Sequence, residues 1–362
     1  MDNKKEKAAP EKKRRGTLWK ALLGIVLALV ILIACGLAAL TLAEYRPEDV
    51  EALELPGGEK ALDTESTLTV VSFNIGYAAL GEDADFFLDG GKTSMPESAS
   101  VIETNLAGIE KTLRELSADV YLIQEADTDS KRSYGIDEAE HIKNALGLPM
   151  SFAFNYSAPY VPYPIPGMLG KVHSGLATYT GLSVTEASRI QLPITFSWPI
   201  RTINLKRCML VERIPAGEGR ELVIVNVHLE AYDDGEGKLA QTKQVYDLLT
   251  AEAEKGNYVI VGGDFNQTFA GAKLFPAVYE GVWEPGVIDN DLPEGYSFVF
   301  DAEEPTCRLL DKPYKGNDGP MYYIIDGFIV SSNLTVESLE VIDTGFVYSD
   351  HRPLKLVVSF GE

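Results

Sequence analysis

Apolar positions fall in short blocks along most of this chain, and the blocks are rich in β-branched residues. Leu68–Phe73, Asp119–Gln124, Leu176–Tyr179, Cys208–Arg213, Glu221–His228, Tyr258–Gly262, Tyr322–Val330 and Pro353–Phe360 each read as a strand. Many are apolar throughout, the pattern of strands covered on both faces. Three stretches instead have helical spacing. Ser98–Ser117 places Ile102, Leu106, Ile109, Leu113 and Leu116 on one stripe. Asp137–Leu146 is a shorter helix, and Leu239–Glu254 carries Leu239, Val245, Tyr246 and Leu249 ahead of Gly256. Strands outnumber helices, and the helices fall between them. The economical architecture is two packed mixed β-sheets flanked by helices, a four-layer α/β sandwich. The pattern runs through residues 67–362 without a second linker or an internal repeat.

One block is different. Ala21–Ala43 is 23 residues without a charge. As a helix it spans roughly 34 Å, enough for a bilayer core of about 30 Å. Lys12, Lys13, Arg14, Arg15 and Lys20 precede it, whereas Glu44, Glu48, Asp49 and Glu51 follow it. The positive-inside rule then makes 1–20 a basic cytoplasmic tail, 21–43 an uncleaved signal anchor and the remainder extracytoplasmic. A cleaved signal peptide is the rival, but its apolar core is usually shorter. Leu32-Ile33-Ala34-Cys35 also looks like a lipoprotein cleavage box with Cys35 as the lipidated residue, although the apolar run continues beyond it. Residues 44–66 are acidic and contain Pro and Gly, which predicts a linker. Cys208 and Cys307 either pair or remain buried thiols, and no Cys/His spacing suggests structural zinc.

Charge narrows the choice of partners. The chain holds 54 acids against 32 bases, a net charge of −22. Residues 1–20 contribute eight bases and three acids, so the rest carries 24 bases against 51 acids, or −27. Such a body repels a polyphosphate backbone and disfavours non-specific duplex binding. A bound divalent cation or a local basic pocket can still hold a single phosphate.

Polar residues interrupt the apolar strands at or just past their C-terminal ends, where α/β proteins collect their sites. They are Asn74 in VVSFNIGY, Glu125 in VYLIQEAD, Asn226 and His228 in VIVNVHLE, Asp264 and Asn266 in VIVGGDFNQ, Asp326 in YYIIDGFIV, and Asp350 with His351 in YSDHRPLKL. Any one alone is more often a turn-former or a satisfied structural residue. Six such interruptions in one domain exceed what turns require. In this order, with GDFN and SDH near the C-terminus, the chain resembles the endonuclease/exonuclease/phosphatase superfamily from about Leu68 to Phe360.

The resemblance implies a four-layer sandwich and divalent-metal-dependent cleavage of phosphoesters. Such hydrolysis needs an activated water, neutralised charge on the phosphoryl oxygens and a helped leaving group. A hard cation, Mg²⁺ first and Mn²⁺ or Ca²⁺ as alternatives, prefers carboxylate oxygens. Motif matching assigns Glu125 as first metal ligand with Asn74 beside it, and Asp350 as a further metal or water ligand. Asp264 orients or deprotonates the water, and Asn266 donates to a phosphoryl oxygen. His351 contacts the phosphate with its imidazole held by Asp326. His228 is a second phosphate contact or the general acid, with Asn226 beside it in the substrate-binding set. Some relatives carry an acid two residues after the first Asn. Here that position is Gly76, which implies a leaner, one-metal shell.

Two irregular stretches complete the candidate list. Residues 157–174 read as a Pro-rich loop whose Tyr160 and Tyr163 form an aromatic wall, with Lys171 or His173 reaching phosphate. Residues 300–319 carry Arg308, Lys312 and Lys315 as sources of local positive charge. The combined expectation is a membrane-anchored, outward-facing phosphoesterase acting on a small or lipid-linked phosphoester. An extracellular nuclease and a non-catalytic phospho-ligand-binding module are the alternatives, and metal-dependent turnover separates the last from the others.

Overall fold

The computed structural model describes residues 11–233, 235–314 and 320–361. It divides into two units, Met1–Glu44 and Tyr45–Glu362. In the first, helix α1 runs over Glu11–Leu42, starting ten residues before the expected apolar block. Its Leu18–Leu42 stretch has a mean hydropathy of 3.0 and is long and apolar enough to cross a membrane, as a signal sequence also is.

The second unit contains β1 (Val50–Ala52), β2 (Leu68–Asn74), α2 (Ala99–Leu116), β3 (Val120–Asp127), α3 (Glu138–Leu146), β4 (Met150–Val161), β5 (Gly170–Thr180) and β6 (Glu186–Gln191). It continues with β7 (Cys208–Gly217), β8 (Arg220–His228), α4 (Glu236–Lys255), β9 (Tyr258–Asp264), β10 (Tyr296–Val299) and β11 (Cys307–Arg308). It ends with β12 (Tyr322–Tyr323), β13 (Asp326–Ser331), β14 (Leu334–Val341) and β15 (Leu354–Phe360). One sheet has the order β1-β6-β7-β8-β9-β13-β10 and the other β14-β15-β2-β3-β5-β4. Both are mixed, since β2–β3 and β8–β9 are parallel and their other pairs antiparallel.

Three apolar layers follow from period-two alternation along the strands. Val71, Phe73, Tyr121 and Ile123 face outward beneath Ile102, Leu106, Ile109 and Leu113 of α2 and Ile142 of α3. Val223, Val225, Val259 and Val261 face the opposite way, against Val245 and Leu249 of α4. Leu68, Val70, Val120, Leu122, Leu222, Ile224, Ile260, Phe328 and Leu356 fill the space between the sheets. The order helix, sheet, sheet, helix is the four-layer sandwich expected from the sequence. The helices have clear boundaries. Asp137 caps α3 by accepting from Glu140 N at 2.9 Å, and Gly147 and Gly256 end α3 and α4 in the left-handed region.

The structure corrects several expectations. Most of residues 157–174 is not loop. β4 extends to Val161 and β5 begins at Gly170, so the connection is only residues 162–169. Pro159 is tolerated because the ladder shifts register between Ala158 and Val161. Nor are residues 44–66 a free linker. Val50–Ala52 adds an edge strand to β6, Leu53 N donates to Ala187 O at 2.8 Å and Lys60 N to Gly181 O at 2.9 Å. Tyr322–Val330 is two strands, because β12 pairs with β11 whereas β13 pairs with β9. Leu239, expected in the α4 stripe, is 55% exposed. Cys208 and Cys307 are both free and buried, one of the two alternatives the sequence left open.

Glu252 turns the last turn of α4 inward. It meets Arg213 Nη2 at 2.6 Å, Asn257 Nδ2 at 2.7 Å and Lys255 Nζ at 2.9 Å. Burial opposes its ionisation, but these hydrogen bonds outweigh burial and hold the carboxyl down to about 2. Glu252→Gln is expected to cost about 2–3 kcal/mol of stability at pH 7. Because the folded pKa lies below the unfolded value of 4.5, the deficit shrinks as pH falls from 4.5 towards 2. Denaturant titrations at pH 7 and pH 3 check this, and identical midpoints at pH 7 would contradict it.

Candidate active site

Alternation also decides which polar side chains enter the space between the sheets. On β2 the inward series is Leu68, Val70, Ser72, Asn74, and on β3 it is Val120, Leu122, Gln124. On β8 it is Leu222, Ile224, Asn226, His228, and on β9 it is Tyr258, Ile260, Gly262, Asp264. Each series therefore passes from apolar to polar towards the strand's C-terminal end. Because β2 runs with β3 and β8 runs with β9, the polar ends within each sheet coincide, with Asn74 opposite Gln124 and His228 opposite Asp264. The antiparallel β13 starts there, with Asp326 opposite Asp264.

Glu125 breaks the alternation. It has φ +55, and the pairing of β3 with β5 skips between Ile123 and Ala126. This bulge brings Glu125 Oε1 to 3.3 Å from Asn74 Nδ2 and 3.8 Å from His228 Nε2. Asn266 is also left-handed, with φ +49. Its N–H donates to Asp264 Oδ1 at 2.8 Å and its Nδ2 to Leu229 O at 2.9 Å. Backbone outliers of this kind cluster at functional sites.

Asn74 is the hub. Its Nδ2 lies 3.0 Å from Asp264 Oδ2, 3.3 Å from Glu125 Oε1 and 3.4 Å from His351 Nε2. His351 Nδ1 is 2.9 Å from Asp326 Oδ2, and its Nε2 is 3.7 Å from Asp264 Oδ2. His228 Nε2 is 3.4 Å from the same oxygen. Ser349 Oγ donates to Asn74 O at 2.8 Å, tying the segment before His351 to β2. Asn74 stands beside Glu125, where the sequence put it. Its oxygen accepts from Gly76 N at 3.0 Å, so a nitrogen faces the carboxylates and positions them.

The charges are strongly biased. Burial, then the charge of Asp326, pushes Asp264 up to about 7. Burial raises Asp350 to about 6, with Glu125 adding to the rise against His351 and Arg308. Burial holds His228 well below the usual imidazole range, helped by Arg207 and His351, so it is neutral. Burial would lower His351 too, but Asp326 and Cys307 outweigh it, and its pKa lies well above the usual value. Ligand atoms of Asp264, Asp326 and His351 lie within 4.8 Å of one another, as do those of Cys307, Asp350 and His351. The carboxylates of Asp264, Asp326 and Asp350 in these groups, with Glu125 close by, are the acceptors that suit a divalent cation, whereas the charged His351 is a donor. Gly76 is part of the fit, because a Cβ there would sit 2.8 Å from Asp350 Oδ1. The carboxylate of Asp350 fills the space that a side chain at this position would need.

Several sequence candidates lie outside the cluster. Asn226 is fully buried, and its Nδ2 donates to Ile123 O at 3.2 Å and Ala177 O at 3.1 Å. Its Oδ1 accepts from Gln124 Nε2 at 2.8 Å, so it joins the sheets from a fully buried position. Arg308 is also turned inward, donating to Gly81 O at 2.8 Å and Leu309 O at 3.2 Å. Tyr160 and Tyr163 are exposed on the β4–β5 hairpin. Tyr160 reaches Met168 Sδ, and the Tyr163 ring packs edge-on against Phe87 at 5.4 Å. His173 packs edge-on against Phe154 at 5.6 Å, and Lys171 pairs with Asp129. Lys315 lies outside the described residues.

Residues without a sequence signal approach the site instead. Asp89, in a short turn after β2, accepts from Tyr232 Oη at 3.3 Å, and burial and the charges of Asp350 and Glu125 push it up to about 7. Arg207, just before β7, is 4% exposed beside His228. Its Nε and Nη1 have no hydrogen-bond partner, and its nearest carboxylate, Glu230, is 4.0 Å away. Neither residue lies in a periodic pattern that could mark it.

The Endonuclease/Exonuclease/phosphatase family model matches residues 71–351, and the chain belongs to that family. Solved structures share the fold. An endonuclease/exonuclease/phosphatase from Beutenbergia cavernae DSM 12333 superposes with a TM-score of 0.56 at 17% identity, covering 82% of this chain and 72% of its own. D. rerio TDP2 complexed with a single-strand DNA product gives 0.52 at 16%, covering 81% and 99%. The human Nocturnin catalytic domain with bound sulfate gives 0.51 at 18%, covering 82% and 94%. No curated protein matches the chain in sequence.

Two substitutions separate scaffold from site. Gly76→Ala, at φ +52 and against Asp350, should cost about 1–3 kcal/mol by thermal melt; an unchanged melting temperature would show that Asp350 moves freely. Asn226→Ala strands Gln124 and two buried carbonyls. It should cost about 2–4 kcal/mol while leaving turnover per folded molecule within a few-fold of wild type. Selective loss of turnover in a fully stable variant would instead restore Asn226 to the substrate-binding set.

Proposed function

We propose that this chain is a membrane-anchored, extracytoplasmic, metal-dependent phosphoesterase acting on a small or lipid-linked phosphoester. The observation that carries the reading is the convergence of Glu125, Asp264 and His351, from distant stretches of chain, within 3.4 Å of one Asn74 amide nitrogen. In this assignment Glu125 and Asp350 hold the cation, which supplies charge neutralisation at the phosphoryl oxygens and a more acidic water. Asp264, made more basic by burial and Asp326 and held in place by the Asn74 and Asn266 N–H donors, orients the attacking water and takes its proton. His351, held charged by Asp326, donates to a phosphoryl oxygen. Neutral His228 donates a hydrogen bond rather than acting as a strong acid. The open guanidinium nitrogens of Arg207 supply positive charge beside it.

The finer points rest on charge and exposure. The net charge of −22 disfavours long duplex DNA as substrate. Tyr160, Tyr163, Ile165 and Leu88 are exposed, and Tyr163 rests on Phe87 in the segment that carries Asp89, which suits a substrate with an apolar portion. The positive-inside pattern around α1 favours an outward-facing body. A nuclease is the second reading, favoured by the TDP2 neighbour with its single-strand DNA product.

Assays with bis-p-nitrophenyl phosphate, phospholipid vesicles and plasmid DNA, with Mg²⁺ and with chelator, test the proposal. Chelator and Glu125→Ala should each abolish turnover. Asp264→Asn and His351→Ala should each lower kcat by about 10²–10⁴-fold with the fold intact. Near-wild-type rates in either variant refute the assigned roles, and plasmid as the only good substrate selects the nuclease.

A further inference from the structure

The turn that follows Asn74 carries a side chain that the mechanism above does not use. Tyr77 lies in the 3-10 turn Gly76–Ala78, only 2% exposed, with φ +40. A left-handed backbone is uncommon for an aromatic residue and marks local strain. The hydroxyl is buried and has no hydrogen-bond partner. Leaving a buried O–H unmatched is unfavourable, and native proteins rarely tolerate it without a reason.

The ring is held in place. The Arg132 guanidinium carbon sits 3.6 Å from its centroid. Arg132 is itself fixed by two bonds to Asp127, Nε to Oδ2 at 3.0 Å and Nη2 to Oδ1 at 2.9 Å. Asp127 N in turn donates to Glu138 Oε2 at 2.9 Å. A cation over the ring face draws on its electron density and strengthens the phenol as a donor. Glu125 and Asp350 lie within electrostatic reach of the hydroxyl, and burial together with these carboxylates keeps it protonated. Gly76, one residue earlier, abuts Asp350. A fixed, unmatched donor thus stands in the turn that joins Asn74 to the Gly76 backbone abutting Asp350, and an acceptor oxygen is its missing complement.

We propose that Tyr77 is a catalytic residue whose hydroxyl donates a hydrogen bond to a phosphoryl oxygen of the bound substrate. The inference rests on the phosphoesterase reading of the same site. It adds a neutral donor from β2's own turn to the charged groups contributed by the strand ends.

Tyr77→Phe removes only the oxygen and keeps the ring and its stacking on Arg132. In the full chain in detergent micelles with Mg²⁺, kcat/KM for bis-p-nitrophenyl phosphate should fall about 10- to 100-fold. Affinity for inorganic orthophosphate, measured by titration calorimetry, should weaken about tenfold. The melting temperature should hold or rise, because an unmatched buried hydroxyl is gone. Wild-type turnover and wild-type orthophosphate affinity in Tyr77→Phe would overturn the proposal. If the wild-type protein turns over no phosphoester, the phosphoesterase reading fails separately. The orthophosphate titration still decides the role of Tyr77, and equal affinity or no binding in the two proteins rejects it.

Discussion

The hydrogen bond from Gln124 Nε2 to Asn226 Oδ1 joins the two sheets directly behind the cluster. The site depends on that seam. Asn74 and Glu125 belong to one sheet, whereas His228, Asp264 and Asp326 belong to the other. Their approach to within hydrogen-bonding distance is therefore set by the separation of the sheets at this end. Apolar side chains fix the spacing elsewhere, but dispersion is tolerant of small slides. A buried amide pair, extended by Asn226 to two backbone carbonyls, is directional and tolerates little misalignment. The sandwich is thus greasy where it must be stable and polar where it must be exact in register.

Much of this was legible in the sequence, and the reason is geometric. Strands covered on both faces read as apolar runs, so a polar residue at the end of such a run is conspicuous. Asn74, Glu125, His228, Asp264, Asp326 and His351 all stand out this way, and the fold brings them together. Asn226 stood out equally and belongs to the seam, because one-dimensional pattern cannot tell the last interior residue from the first one at the mouth. Tyr160 and His173 misled for a different reason. Four prolines between 159 and 166 suggested loop, yet a bulge let the hairpin ladder continue past Pro159. Asp89, Arg207 and Tyr77 carried no signal, since they reach the site from turns whose conformation no periodicity encodes.

The distribution of charge gives the site its character. Carboxylates dominate, the one strongly protonated imidazole is clamped by Asp326, and the other is neutral. An anionic substrate entering such a place meets repulsion unless a cation is present. In the proposed reaction, metal dependence and substrate affinity are then two aspects of one electrostatic condition.

The short strand β1 has a practical consequence. It covers the hydrogen-bonding edge of β6 with chain that precedes the main run of the body. Trimming the protein past Val50 would uncover that edge and offer it to another copy, favouring aggregation. A soluble version should keep residues from Tyr45 onward, so that the ladder stays capped by its own polypeptide.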